Sequence, residues 1–333
     1  MRNPIRLAVF AAVLSLILAG AYDLTRVSSD FAADGRPFVR MVSGPAGGTW
    51  YPLGAAIAQT FSESLPQVLA SNGPGGGIEN IRDIDLRNAE IGFSMSDVVS
   101  QAHQGAGKFK QAHSHIRHFA TLYTNIFQVA VPRESGVHSI AELKNRNISP
   151  GKAGWGGTEM TRAVLEAYGI TFDSVKQNGG TVHHVDYTDS VALMKDGHID
   201  AFFALSSVPQ SSLMELNFEP GIRLLSIEEG QLDAILRDNP GLVRVTIPKT
   251  AYEHMDEDVH TVGVPCVLIV HEDVPDDLVY SLAKSFWDGH DRILEVSPVW
   301  NTVTLENGLL APPAPVHPGA ARFYAERGIS VRQ

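Results

Sequence analysis

From residue 38 onward one grammar repeats along the chain: a short apolar run, a glycine-rich loop, then an amphipathic stretch with helical spacing. Such alternation is what βα units around a mostly parallel sheet produce. Phe38-Val39-Arg40-Met41-Val42 reads as a strand and Gly44-Pro45-Ala46-Gly47-Gly48 as the turn after it. A helix over 51–64 follows, with Leu53, Ile57 and Phe61 four residues apart on one face. Val68-Leu69-Ala70 leads through Gly73-Pro74-Gly75-Gly76-Gly77 into a helix from Ile78, and the strand 90–94 leads into a helix from Ser96 or Asp97.

A second set begins near Asn125. The run 127–131 is a strand that Pro132 ends, and Ser139 with Glu142 three residues on predicts a capping box. The loop 151–158 opens a helix over 159–168 that Gly169 terminates. Strands over 182–185, 199–204, 222–227 and 243–247 alternate with helices from Asp189, Pro209 and Glu228. A long apolar strand over 261–270 precedes helices at 275–290 and 318–327, and the proline-rich stretch 311–315 reads as an extended connector. Two α/β sets imply two lobes with a cleft between them, lobe 1 formed by 38–125 plus 250–333 and lobe 2 by 126–249. Ligands of such folds lie outside the carboxyl ends of the strands.

Composition narrows the function. With 333 residues, 44% hydrophobic and 19% charged, a sizeable core can be buried. The net charge of −11, with no basic run above that background, argues against a nucleic-acid partner. It does not exclude a small anion, which backbone N–H groups can hold without a positive protein. The single cysteine, Cys266, excludes an intramolecular disulfide framework and a cysteine metal cluster, and its apolar surroundings predict a buried thiol.

Residues 1–21 carry Arg2 and Arg6, an apolar run from Leu7 to Leu18, and the small residues Ala19-Gly20-Ala21. This is the pattern of a signal peptide, with an uncleaved anchor as the alternative, and it places the protein in the periplasm. The apolar run falls short of the ~20 residues of a comfortable membrane span.

Enzyme motifs fail one by one. Around Gly105-Ala106-Gly107-Lys108, Ala102 stands where a phosphate loop needs its first glycine and Phe109 where it needs Ser or Thr. There is no G-x-S-x-G elbow and no H-E-x-x-H. His113, His115 and His118 group in a polar loop and His183-His184 pair on a predicted strand, but neither has a sustained metal-ligand spacing. No catalytic residue, metal or cofactor is expected.

What remains is a set of loops ending in a hydroxyl residue at a helix start: Gly47-Gly48-Thr49, Gly156-Gly157-Thr158 and Ser94-Met95-Ser96-Asp97. Glycine lets a ligand approach the backbone, first-turn N–H groups point outward, and the helix dipole favours negative charge. Each loop taken alone reads equally as a capped turn. Two of them from different lobes favour a shared carboxylate-binding cleft.

The blocks 43–54, Gly76-Gly77-Ile78-Glu79-Asn80, Ile91-Gly92-Phe93 with Ser96-Asp97, Gly154 to Thr158 with Thr161, 196–203, Thr261-Val262-Gly263-Val264-Pro265 and His317-Pro318-Gly319-Ala320 resemble the TAXI family. These are the extracytoplasmic solute receptors of tripartite ATP-independent periplasmic (TRAP) transporters, and the resemblance runs from about residue 41 to 328. It implies an α/β, two-lobed periplasmic-binding-protein-like fold (type II) with two crossover strands. It also implies a receptor that closes on a small anionic solute, a glutamate- or 2-oxoglutarate-like dicarboxylate, and hands it to TRAP membrane permease subunits without chemistry; a monomer suits such a diffusing receptor.

Both lines nominate the same ligand-binding residues. Gly48 and Thr49 are expected to donate from lobe 1 with Tyr51 as wall, Ser94, Ser96 and Asp97 to form the next loop, and Gly157 and Thr158 beside Trp155 to grip from lobe 2. Ser206, Ser207 and Gly263 complete the set. Met95 and Trp155 depart from the family's more polar and smaller residues, which favours an acid without an amine or with a more apolar body. A sensory receptor partnering a membrane kinase, or an enzyme on the same fold, is the alternative reading.

Overall fold

A computed structural model describes residues 36–239 and 241–331; the expected signal peptide at 1–21 lies outside the described residues. The strands are β1 (Phe38–Val42), β2 (Leu69–Gly73), β3 (Ile91–Met95), β4 (Ile116–Pro132), β5 (Ile148–Ser149), β6 (Ala201–Ser206), β7 (Ile222–Leu224), β8 (Val243–Ile247) and β9 (Val259–His271). The helices are α1 (Trp50–Ser64), α2 (Gly77–Asp85), α3 (Ser96–Gln104), α4 (Gly156–Ala167), α5 (Phe172–Gln177), α6 (Tyr187–Lys195), α7 (Ser211–Phe218), α8 (Glu229–Asp238), α9 (Asp276–Asp288), α10 (His290–Leu294) and α11 (Pro318–Ala325).

The strands form one sheet in the order β2-β1-β3-β9-β4-β6-β5, with β7 on β4 and β8 on β9. Its middle is antiparallel, not parallel as the alternation suggested. The long strands β4 and β9 pair from Ile116 opposite His271 to Ile126 opposite Gly263. The parallel pairs flank them, β1 with β2 and β3 on one side and β5 with β6 on the other. β4 and β9 are thus the two strands that pass from one half of the molecule to the other. Their register shifts between Thr121 and Thr124, so Leu122 and Tyr123 bulge opposite Cys266. A bulge of this kind bends the ladder and re-aims side chains.

Apolar runs explain the core. Val262, Val264, Cys266, Val267, Leu268, Ile269 and Val270 of β9 are all fully buried, as expected of a strand covered on both faces. Leu53, Ile57 and Phe61 seat α1 against the first half. In the second half Trp155, Tyr187, Phe202, Leu213, Tyr252 and Val259 form a smaller core. Tyr252 and Val259 fall within the segment assigned from sequence to lobe 1, yet both pack here.

Some expected elements changed. β4 begins at Ile116, so His118 lies on a buried strand rather than in a polar loop. Its Nε2 faces the Gly308 carbonyl at 3.0 Å, and burial pushes its pKa down to about 4. The run after Ser139 is a 3₁₀ turn, and the Ser139 hydroxyl donates to Glu142 instead of capping backbone. The capping box is at Thr171 and Ser174, on α5, which the hydrophobic pattern did not announce. The strand expected at 182–185 reduces to a bridge between Val182 and Ile148. Cys266 is free and buried, and no described helix is long and apolar enough to cross a membrane.

Candidate functional site

Three helices begin at one place. α1, α2 and α4 each follow a glycine loop at a strand end, and each leaves first-turn N–H groups without intrahelical partners. Their starts line a cavity of about 30 Å³ bounded by Pro45, Gly48, Thr49, Trp50, Gly76, Gly77, Met95, Trp155, Gly156, Gly157, Tyr187, Leu205 and Ser206. That is room for about two waters, so the two halves are closed on each other.

Asn80 fixes the loops of the first half. Its side-chain amide donates to the carbonyls of Ser43 (2.7 Å) and Phe93 (2.8 Å), and its Oδ1 accepts from Gly76 N–H at 3.1 Å. The ends of β1 and β3 and the start of α2 are therefore held by one buried side chain. From the second half Tyr187 plays a comparable part, its hydroxyl accepting from the Leu205 N–H at 3.1 Å. Burial raises that phenol to about 12, so it stays neutral.

Closure is held by polar contacts across the halves. Thr49 occupies the N-cap position of α1 but has helical φ and ψ and caps nothing. Its hydroxyl instead lies 2.6 Å from that of Ser207 and accepts from Ser206 at 3.0 Å. The Gly47 carbonyl accepts from Gln210 Nε2 (2.6 Å) and from the Ser212 hydroxyl (2.9 Å), and Lys108 pairs with Glu159 at 3.0 Å. Two glycines permit the approach. A Cβ on Gly76 would lie 2.3 Å from Trp155 Cδ1, and one on Gly156 would lie 2.0 Å from Met95 Cε.

Of the residues nominated from sequence, the fold brings Gly48, Thr49, Trp155, Gly157 and Ser206 to the cavity wall, with Ser207 bonded to Thr49 just behind it. The rest lie elsewhere. Tyr51 is 37% exposed on the outer side of α1. The Ser94 hydroxyl donates to Gly77 O at 3.0 Å, and that of Thr158 to Pro150 O (3.0 Å) and Lys152 O (2.7 Å), so both are spent on their own loops. Gly263 is packed in the sheet, where an added Cβ would lie 2.6 Å from Thr124 Cγ2 and 2.9 Å from Val245 Cγ2. Ser96 and Asp97 line a wider groove of about 540 Å³ with Tyr123, Thr124, Gly241 and Pro265. Asp97 also borders a groove of about 360 Å³ between α3 and α4. Loss of water around its carboxyl raises its pKa to about 6.

Sequence reasoning missed Trp50, Gly76, Gly77, Met95, Gly156, Tyr187 and Leu205 as wall residues. The glycines carried the same signal as Gly48 and Gly157. Tyr187, an aromatic at the start of a helix, had only its position to announce it. No group of three or more His, Cys, Asp or Glu among the described residues could hold a metal ion.

A sheet of two halves joined by two long antiparallel strands, with helix starts from both halves facing a shared cleft, defines the α/β periplasmic-binding-protein-like fold. Solved structures agree on that architecture. The periplasmic binding protein BugD superposes with a TM-score of 0.54 at 15% identity, covering 83% of this chain and 90% of that one. PhnD1 from Prochlorococcus marinus, in complex with methylphosphonate, gives 0.52 at 12% identity, covering 80% and 90%. A structure described as a periplasmic transporter gives 0.51 at 15% identity, covering 89% and 93%. The family model described as NMT1-like matches residues 41–328. The chain belongs to the NMT1-like family and has the fold of its two-lobed solute-binding proteins.

Proposed function

We propose that this protein is an extracytoplasmic solute receptor that closes on a small carboxylate and delivers it to a membrane permease of the TRAP type, without covalent chemistry. The observation that carries the reading is the convergence of the α1, α2 and α4 starts on one cleft. Backbone N–H groups at helix starts favour an anion without a side-chain cation, and none of the lining residues is Lys or Arg. Trp50, Met95, Trp155, Tyr187 and Leu205 supply an apolar wall for the body of the ligand. The expected dicarboxylates of glutamate or 2-oxoglutarate size belong to this reading, with the N–H groups of Gly77 and Gly157 receiving one acid group, while that of Gly48 is held by Pro45 O at 3.0 Å.

In this reading 38–125 with 250–333, and 126–249, move as two lobes about β4 and β9, except that the segment holding Tyr252 and Val259 travels with the second. The TAXI resemblance supports TRAP partnership and a periplasmic location, because its blocks include the loops that form the cavity wall.

Thermal unfolding of residues 22–333, freed of ligand by unfolding and refolding, tests the reading against C4 to C6 dicarboxylates, monocarboxylates, amino acids and sugars. Saturation at 100 times Kd stabilises the folded state by about 2.7 kcal/mol. A shift with a carboxylate supports the anion cleft, and its absence with every anion discards it. Uptake of the same solute into vesicles carrying the permease, driven by a cation gradient without ATP, tests the partnership.

A further inference from the structure

Beside Met95 lies a set of polar groups that the carboxylate reading does not use. Trp50 Nε1, the Tyr123 hydroxyl and both amide atoms of Asn125 are buried without a hydrogen-bond partner. Asn125 is fully enclosed, and Tyr123 and Trp50 retain 3% and 8% of their surface. The groups come from three elements. Trp50 opens α1, Tyr123 sits in the β4 bulge, Asn125 is just beyond it, and Cys266 of β9 lies across from the bulge and beside Met95 of β3. These groups meet one another, but outside good hydrogen-bond geometry: the Trp50 indole N–H faces the Tyr123 hydroxyl and the Cys266 thiol, and Asn125 faces the same thiol.

A core built only for packing would be apolar here, since buried polar groups are normally paired and leaving them unpaired is costly. The cluster lies where β4 and β9 pass between the halves, next to Met95, which lines the cavity together with Trp50. A methionine side chain is flexible, and the Met95 methyl group is the nearest atom that a Cβ on Gly77 or Gly156 would meet.

We propose that Trp50, Tyr123 and Asn125 form a second subsite of the same cleft, one that receives an uncharged group able to both accept and donate, such as a primary carboxamide, when Met95 swings aside. The inference rests on the carboxylate reading and narrows it to an acid whose far end is neutral. An indole N–H and an amide N–H suit a carbonyl oxygen, while Asn125 Oδ1 and the phenol oxygen suit an N–H₂. A second carboxylate fits poorly, because no Lys or Arg lines either cavity that borders the cluster.

Isothermal titration of residues 22–333 with matched probes tests this: succinate against succinamic acid, glutarate against glutaramic acid, the monoacids butyrate and pentanoate, and the diamides succinamide and glutaramide. The expected result is that a monoamide binds at least tenfold tighter than its diacid. Asn125→Leu and Tyr123→Phe should each cut that preference to under threefold while the monoacids keep their affinity. A diacid that binds as tightly as its monoamide, or a preference that survives both substitutions, overturns the subsite while leaving the carboxylate reading intact. Binding of a diamide alone overturns the carboxylate reading and keeps the subsite. No binding of any probe overturns both.

Discussion

The hydroxyl of Thr49 lies 2.6 Å from that of Ser207, 158 residues further along the chain, and this pair ties the start of α1 to the loop after β6. Because Ser206 also donates to Thr49, the contact exists only when the halves are closed. Thr49→Ala leaves the buried Ser206 hydroxyl without a partner and Ser207 with only the Pro209 carbonyl, at a cost of about 1 to 3 kcal/mol on the closed form. Affinity for the bound carboxylate should fall about tenfold or more. Thr49→Ser, which keeps the oxygen, should retain most of it. Titration of the two variants side by side checks this, and equal losses would mean that the methyl group rather than the hydroxyl matters.

Gly76 argues the same closure from shape. Its φ of −158° is extended backbone that any residue adopts, so an added methyl group strains nothing locally. Across the cleft, however, that methyl would sit 2.3 Å from Trp155 Cδ1. Gly76→Ala should leave thermal stability near wild type yet lower ligand affinity at least tenfold, and Trp155→Ala in the same chain should recover part of the loss. A drop in stability equal to the drop in affinity would contradict the assignment.

How far the letters went is visible at these positions. The glycine loops and their hydroxyl residues pointed to the cleft because the requirement is local: a strand end, a tight turn and a helix start fall within a dozen residues. What Thr49 or Thr158 does with its hydroxyl is not local. Thr49 reaches across to Ser207, whereas Thr158 turns back to Pro150 and Lys152, and both sit at the same place after two glycines. His118 failed for a related reason. Flanked by Arg117 and two further histidines it looks like loop, but its partners are β9 and the carbonyl of Gly308, 190 residues away. The antiparallel middle of the sheet was hidden likewise, since β4 and β9 pair over a separation that no spacing rule senses.

Tyr252 joins the second half to the closing contacts. Its hydroxyl donates to Gln128 Oε1 at 2.5 Å and accepts from Gln210 N–H at 2.9 Å. Gln128 in turn donates to Ser207 O, and Gln210 to Gly47 O. Tyr252→Phe keeps the ring in its core but strands both partners, so urea unfolding should report a loss of about 1 to 3 kcal/mol. The m-value should stay unchanged, because the same surface is exposed on unfolding. A loss under about 0.5 kcal/mol would show that the network is already wet.

Asp97 gives the pH dependence its sign. One carboxyl oxygen is buried without a partner, and the desolvated group titrates near 6 rather than near the ordinary 3.8. Helix-start N–H groups of Asp97 and Val98 favour the charged form, but desolvation outweighs them. Below about pH 4 the group is neutral both folded and unfolded and contributes no penalty. Between about 4 and 6 the unfolded chain has already released the proton that the folded one keeps, so stability falls as pH rises through this window and then levels off. Asp97→Asn removes that titration. The melting temperature of Asp97→Asn relative to wild type should therefore be higher at pH 7.5 than at pH 4.5. Paired melting curves at the two pH values check it, and a difference of the opposite sign would mean that the N–H groups at the start of α3, not burial, govern this carboxyl.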